Sequence, residues 1–278
     1  MTILAEIALW LALLVGVWGA VVGLAGRERT RPDLAQSARR ALFVLCGLLL
    51  LDAAILEYLI FTHDFNVEYV ASYTSRNLPT FYLWSALYAG QKGSLLFWAV
   101  VLSTFGSLAL ILTPPRYRVY LPQVAGVVCA VAVFFIVVML FAANPFERLS
   151  FTPADGSGMN PQLQNPGMVF HPPFLYLGYV SITIPFAFAI AALLTKQMDG
   201  GWIHAIRKWT LVSWLFLSIG ILLGMWWAYV ELGWGGYWAW DPVENASFLP
   251  WLLMTAFLHS VMIQEKRGML KKWNAGLI

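Results

Sequence analysis

The hydrophobic positions of this chain gather into long runs separated by shorter polar stretches. Seven runs reach the ~20 residues that a helix needs to cross a hydrocarbon layer, at about 3–25, 39–61, 93–113, 120–142, 173–195, 207–230 and 246–264. Each predicts a membrane-spanning helix, so the expected fold is all-α, a polytopic bundle forming a single transmembrane domain over 1–278. The first run is too long, and too poorly followed by small residues, for a cleaved signal peptide, and it carries Glu6 near its end. It reads as a retained helix. Residues 79–90 are too few to span and predict an interfacial helix, while the Pro/Gly/Asn-rich stretch 156–167 predicts a loop.

Composition removes several function classes. With 60% hydrophobic and 11% charged residues, the chain falls far below the roughly 25% charge of soluble domains. An ordinary cytosolic enzyme, a nucleic-acid binder and a disordered chain are excluded, and the lipid bilayer is the expected surrounding. Seven crossings place alternate connections on the same side. One set holds fourteen of the seventeen Lys and Arg, including Arg27, Arg29, Arg31, Arg116, Arg118, Lys208 and Lys266. The other holds Arg76, Lys92 and Arg148. The positive-inside rule then puts the N-terminus outside and the C-terminus in the cytoplasm. The net charge of +3 follows from this topology and argues for no acidic substrate. The outer connections, about 63–92, 144–172 and 231–246, are the long ones, so the functional face is expected there.

Few residues offer chemistry. Cys46 and Cys129 stand alone in the second and fourth spans, as small buried hydrophobes, which speaks against a thiol–disulfide relay. His63, where the second span ends, and His204, in a basic loop, read as interfacial or solvated. His171 lies in Val-Phe-His-Pro-Pro-Phe just before the fifth span. Pro172 biases it towards extended backbone, and Pro172 and Pro173 suit the first turn of the next helix. A haem-ligand role and a structural role both remain open for it. His259 lies inside the seventh span with no acid near it on that helix until Glu265. A haem ligand, a proton relay and a helix–helix hydrogen bond are all compatible with that position. Asp52 and Glu57 lie ~140° apart around their helix and form no carboxylate pair.

The sharpest feature is aromatic. Six of the fourteen Trp fall between 226 and 251. Trp226, Trp227, Trp234, Tyr237, Trp238 and Trp240 crowd one loop, where an interfacial belt would spread its rings around the bundle. Asp241 can N-cap the last span, with Pro242 at N1 and Glu244 at N3 in near-capping-box spacing. Gly233, Gly235 and Gly236 let the backbone turn and a flat ligand approach. Such a shelf suits a large planar apolar ligand such as a porphyrin.

These residues carry a resemblance. Trp-Gly-Gly-Tyr-Trp-Ala-Trp-Asp-Pro-Val-Glu-Asn-Ala-Ser at 234–247, within a loop region at 226–248, resembles the WWD signature of haem-handling proteins of cytochrome c maturation. The closest likeness is to the large haem-lyase subunit, the CcmF family. Asn-Pro-Gly-Met-Val-Phe-His-Pro-Pro-Phe-Leu-Tyr-Leu-Gly-Tyr at 165–179 is similar to that family's outer-histidine motif. Leu-Pro-Thr-Phe-Tyr-Leu-Trp at 78–84, continuing to Gly-Ser-Leu-Leu-Phe-Trp at 93–98, is similar to its early outer loop.

The resemblance implies a haem-lyase (cytochrome c synthase) subunit in the bacterial cytoplasmic (inner) membrane, with its functional face periplasmic; a mitochondrial inner membrane is the lesser expectation. Haem from a CcmE-like chaperone would be held at the WWD loop between two outer histidines, the first matched by His171. Thiols of a C-x-x-C-H apocytochrome c would then add to its vinyl groups. A b-type haem within the membrane would keep the substrate iron reduced, with His259 matching one of its two ligands. The expected haem-binding set is His171, His259, Trp226, Trp227, Trp234, Tyr237, Trp238, Trp240 and Asp241, and no catalytic residue is assigned. CcmH/CcmI-like subunits are implied as further partners. Family members are usually about twice as long, and the second histidine of each pair belongs to the half not matched here. The chain is thus expected to be an N-terminal half, naturally split or shortened, carrying two half-sites and active in complex with the C-terminal half. Lys92 stands where the family more often has Glu. The alternative is a haem exporter or CcsA/CcmC-like handler that delivers haem without lyase activity. A transporter lacks support, since there are no paired broken helices and no inverted repeat.

Overall fold

The computed structural model describes residues 1–197 and 201–277, and its helices include seven long and apolar enough to cross a membrane. In chain order they are α1 (Thr2–Ala25), α2 (Pro32–Phe61), the short α3 (Glu68–Tyr73) and α4 (Thr80–Ala86), then α5 (Gln91–Leu112). A 3₁₀ turn at Pro115–Tyr120 leads into α6 (Leu121–Phe141). The fifth crossing is α7 (Pro166–Ser181) followed in line by α8 (Thr183–Thr195), and then come α9 (Gly201–Glu231), α10 (Pro242–Arg267) and the short α11 (Lys271–Leu277). Among the described residues no strand forms; β pairing is limited to isolated bridges such as Val67 with Arg148.

Several helices outrun the apolar runs that predict them. α2 starts at Pro32, α9 at Gly201, and α10 continues to Arg267. Hydrophobicity marks only the stretch inside the hydrocarbon, whereas a helix continues until something caps it. Pro32 supplies the N1 position of α2. Gly268, at φ +67°, ends α10 by donating its N–H to the Gln264 carbonyl at 2.8 Å. The expected interfacial helix at 79–90 is α4, while α3 has no apolar run to announce it.

One expectation is overturned. His171 is not in extended backbone before a helix that starts at the prolines; it lies in the interior of α7, which begins at Pro166 and carries Pro172 and Pro173 inside it. Asn165 is the N-cap, accepting the Gly167 N–H at 2.7 Å. Proline at 173 removes the donor that would serve the Val169 carbonyl. The Tyr88 hydroxyl, from the remote loop after α4, donates to that carbonyl instead at 2.7 Å. The helix therefore continues through the two prolines. At the far end of α7, Pro185 likewise removes the donor for the Ser181 carbonyl, where the crossing divides into α7 and α8.

Packing forms two groups. α1, α2, α5 and α6 make the first, in which Gly23 of α1 meets the backbone of Gly126 in α6, and Gly19 lies against the Cys129 thiol. Both cysteines are free and buried. α7, α9 and α10 make the second, with α7 drawn onto α9 where Gly178 faces the Leu217 backbone and Gly220 faces that of Leu175, while α8 joins the groups by packing on both α6 and α9. α10 rests mainly on α9. The chain covers 61% of the apolar stretch of α5 but only 22% of α9 and 28% of α10, so this last hairpin stands at an open edge.

The long connections gather at one end of the bundle, the loop end, and interlock there. The Glu68 N–H donates to the Glu147 carbonyl at 2.9 Å, and the Leu149 N–H to that of Asn66 at 2.8 Å. Lys92 bridges Glu68 and Glu147, so its charge serves as a clasp between two loops. Asp155 accepts the N–H groups of Arg76 and Gly156 at 2.9 and 2.7 Å, which hold its carboxyl below the usual carboxylate range. The arginine-rich connections occupy the opposite, basic end.

Candidate functional site

The site is built at the loop end, between α7, the C-terminal half of α9 and the start of α10. The half-buried His171 imidazole faces α9, with Nδ1 2.8 Å from the Gly220 carbonyl. A carbonyl only accepts, so Nδ1 is the donor, and in the neutral imidazole Nε2 then keeps its lone pair. The ring lies flat against Gly224, where a Cβ would sit 2.7 Å from its Cε1. On its other flank the Trp227 indole runs parallel, 14° between planes and 6.3 Å between centroids. Trp227 is itself fixed by donating Nε1–H to the Gln162 carbonyl at 3.3 Å. The imidazole is therefore oriented, with Nδ1 spent on a carbonyl as it is in many metal-ligating histidines.

His171 opens onto a cavity of about 100 Å³ shared with Trp227, Trp238 and Asp241. Beside it lies an almost wholly apolar cleft of about 560 Å³ between α9 and α10, walled by Trp214, Met225, Trp238, Trp240, Phe248 and Trp251. That is within the roughly 300–1,000 Å³ usual for organic ligand sites. Trp238 borders both spaces and stands between them. Its Nε1–H is buried without an acceptor, which is costly unless a ligand supplies one.

The loop holds its shape by hydrogen bonds that converge on one carboxylate. Glu244 Oε2 accepts the N–H of Ala239 at 2.8 Å and of Trp240 at 2.7 Å. Asp241 N-caps α10 as expected, accepting the Glu244 N–H at 2.7 Å. The reciprocal half of the capping box is displaced, because Glu244 reaches the two residues before the cap instead of the cap itself. Asn245 Nδ2 donates to the Trp240 carbonyl at 3.0 Å. Trp240 sits at φ +59°, a left-handed conformation costing about 1–2 kcal/mol for a side-chain-bearing residue, and these bonds hold it there.

Not all of the expected aromatic set converges. Trp227, Trp238, Trp240 and Asp241 line the two spaces. Tyr237 stacks on Tyr229 at 4.5 Å and 9°, tying the loop to the end of α9. Trp234 folds over Gly236, and Trp226 covers Gly167 at the start of α7. These three brace the loop. Conversely, Trp214, Phe248 and Trp251 form a stacked wall that no motif announces: Phe248 and Trp251 lie 13° apart in plane, Trp251 and Trp214 22°. Trp251 and Trp214 donate to the Ser218 and Thr255 hydroxyls, each at 2.8 Å.

His259 stands apart. It is exposed on the open face of α10, and its Nδ1 lies 2.8 Å from the Thr255 carbonyl one turn earlier, which leaves Nε2 directed away from that bond. His63 terminates α2 at φ +51°, and His204 pairs with Glu265 at 3.3 Å. Among the described residues no three His, Cys, Asp or Glu side chains converge. Each histidine thus offers a metal one bond, the number an axial position on a porphyrin iron requires.

Comparisons with known proteins bear on this arrangement. The family described as Cytochrome C assembly protein matches residues 84–278. The cytochrome c-type biogenesis protein CcmF of Pseudomonas fluorescens is 45% identical over 274 residues, covering 97% of this chain and 41% of that protein. The CcmF of Escherichia coli is 41% identical over 275 residues, 96% of this chain and 41% of its own length. A solved structure titled Cytochrome c Heme Lyase CcmF superposes with a TM-score of 0.85 at 36% identity, covering 99% of this chain and 44% of that one. The chain therefore spans about two-fifths of the length of the curated relatives it matches.

Proposed function

The chain belongs to the cytochrome c assembly protein family, and from that premise we propose that it is a haem-lyase subunit of cytochrome c biogenesis, holding substrate haem at the tryptophan loop for covalent attachment to apocytochrome c. The observation that carries this reading is the oriented His171. Its Nδ1 is spent on the Gly220 carbonyl, and the residue lines the cavity beside the aromatic cleft. Nε2 of His171 ligates the iron of the delivered haem. Trp227, fixed parallel to the imidazole, keeps the ring from turning. Trp238 and Trp240 offer apolar faces to the macrocycle, and the buried Trp238 N–H donates to a polar group at its edge. Glu244 and Asn245 hold the loop through their hydrogen bonds, and Glu244 also borders the His171 cavity. The thiols of a C-x-x-C-H peptide then add S and H across the two vinyl double bonds, so that no atom leaves.

His259, exposed on the open face of α10 with Nδ1 held by the Thr255 carbonyl, would hold a b-type haem in the membrane, and that group would supply electrons to the substrate iron. The second ligand of each haem comes from outside this chain. The likeness to CcmF implies the partners: a CcmE-like haem donor, apocytochrome c, CcmH/CcmI-like subunits and the remainder of a CcmF-like protein. The loop end faces the periplasm and the basic end the cytoplasm, an orientation that the arginine distribution supports, and the bacterial relatives support an inner-membrane location.

Reconstitution of the chain with the remaining CcmF-like segment, haem donor and apocytochrome c tests this. Thioether-linked haem, read by mass on the cytochrome, is expected. Haem bound without any thioether would replace the lyase reading with that of a delivery or adaptor protein.

A further inference from the structure

At the basic end, remote from the tryptophan loop, a second cleft of about 560 Å³ opens between the end of α5, the 3₁₀ turn at Pro115–Tyr120 and the first half of α9. Its lining divides by polarity. Arg116 and Lys208 are exposed at it, whereas Leu108, Leu112, Trp209 and Val212 form apolar walls, with Leu112 64% exposed. The two cations are also left without acid. Nearby Arg207 and His204 share Glu265 at 2.8 and 3.3 Å, and Arg39 pairs with Glu28 at 2.6 Å. Among the described residues Arg116 and Lys208 have no carboxylate in ion-pair range, and the Arg116 guanidinium lies over the Tyr117 ring at 4.7 Å. An uncompensated pair of cations above an apolar groove, at the level where spans leave the hydrocarbon, matches one ligand chemistry. It is a phosphate diester carrying two acyl chains.

We propose that this cleft is a binding site for an anionic phospholipid of the leaflet at the basic end, with the headgroup phosphate between Arg116 and Lys208 and an acyl chain along Leu108, Leu112 and Val212. Charge selects the occupant: a zwitterionic lipid adds a cation beside two unpaired ones, and an apolar peptide leaves both unmatched. The lipid would join α9, which the chain covers poorly, to α5 and the 3₁₀ turn. The proposal is independent of the haem reading.

Native mass spectrometry of the protein extracted from its own membrane, titrated with phosphatidylglycerol or phosphatidylcholine, decides it. One retained phosphatidylglycerol is expected, with affinity falling about fivefold for Arg116→Gln or Lys208→Gln and about thirtyfold for both. Arg29→Gln, an exposed cation elsewhere at the same end, should leave binding unchanged. Leu112→Trp fills the groove with both charges kept and should also expel the lipid. Equal binding of the two lipids, wild-type retention in the double variant or in Leu112→Trp, or displacement by millimolar inorganic phosphate would overturn the proposal, the last marking a site for a small anion.

Discussion

Glycine at 224 is where the geometry of His171 can be disturbed without touching the histidine. A Cβ there would stand 2.7 Å from Cε1, 3.0 Å from Nδ1 and 3.3 Å from Nε2. Carbon atoms rest at about 3.5–4.0 Å, so in Gly224→Ala the ring must retreat by about 1 Å. Its Nδ1 then leaves the Gly220 carbonyl, at present 2.8 Å away. The bond itself is worth about 1 kcal/mol. The larger effect is on the metal, because losing the partner that orients a ligating imidazole costs about 10–100-fold in affinity. Folding should be spared, since Ala exceeds Gly in helix propensity by about 1 kcal/mol and the nearest atoms belong to a movable side chain. Gly220→Ala is the contrast: its Cβ would meet the Leu175 backbone at 2.6 Å and force α7 off α9. Haem titration by Soret absorbance, alongside circular dichroism, separates the two. Gly224→Ala should keep its helicity and lose haem affinity at the loop end by 10–100-fold. Haem retention within twofold of the unsubstituted protein would refute the assignment of His171 Nε2 as ligand.

Other consequences concern the loop and the second histidine. Glu244→Ala removes the acceptor for two backbone N–H groups, each worth about 1.5–3 kcal/mol to a charged acceptor before solvent screening. That exceeds the left-handed strain at Trp240, so the loop should open, become susceptible to proteolysis and retain haem at least tenfold less well; Glu244→Gln should fall between. Trp238→Ala or Trp240→Ala should weaken haem retention with normal membrane insertion, and unaltered retention in both would remove the cleft from the site. His259→Ala should abolish b-type absorbance of the assembled protein while leaving haem capture at the loop end intact; an unchanged spectrum would sink that assignment.

The parts of this molecule that were legible in its sequence are those governed by neighbours in the chain. Seven apolar runs gave seven crossings, and Asp241-Pro242 with Glu244 marked the start of α10 to the residue. The aromatic crowding between Trp226 and Trp240 marked the region, but Trp226 and Trp227 lie in the last turns of α9 and not in a loop, and only part of the set lines the cavity and the cleft. What escaped depends on remote partners. Two consecutive prolines read locally as the beginning of a helix, and only the Tyr88 hydroxyl on the Val169 carbonyl lets α7 run through them. The wall of Trp214, Phe248 and Trp251 was hidden for another reason. In a lipid-facing helix apolar side chains occur all round, so periodicity gives little notice of the face that lines a cleft. Glu244 was visible as a cap, but its grip on Ala239 and Trp240 follows from the turn at φ +59°, which no composition predicts.

The central claim is that one imidazole nitrogen, His171 Nε2, holds the substrate haem at the tryptophan loop. His171→Gly with added free imidazole tests it most directly. Spectra of the assembled protein supplied with haem should show the loop-end haem lost in His171→Gly, restored by imidazole entering the vacated space, and the membrane haem unaffected throughout. Haem retained at the loop end in His171→Gly before any imidazole is added would contradict the account.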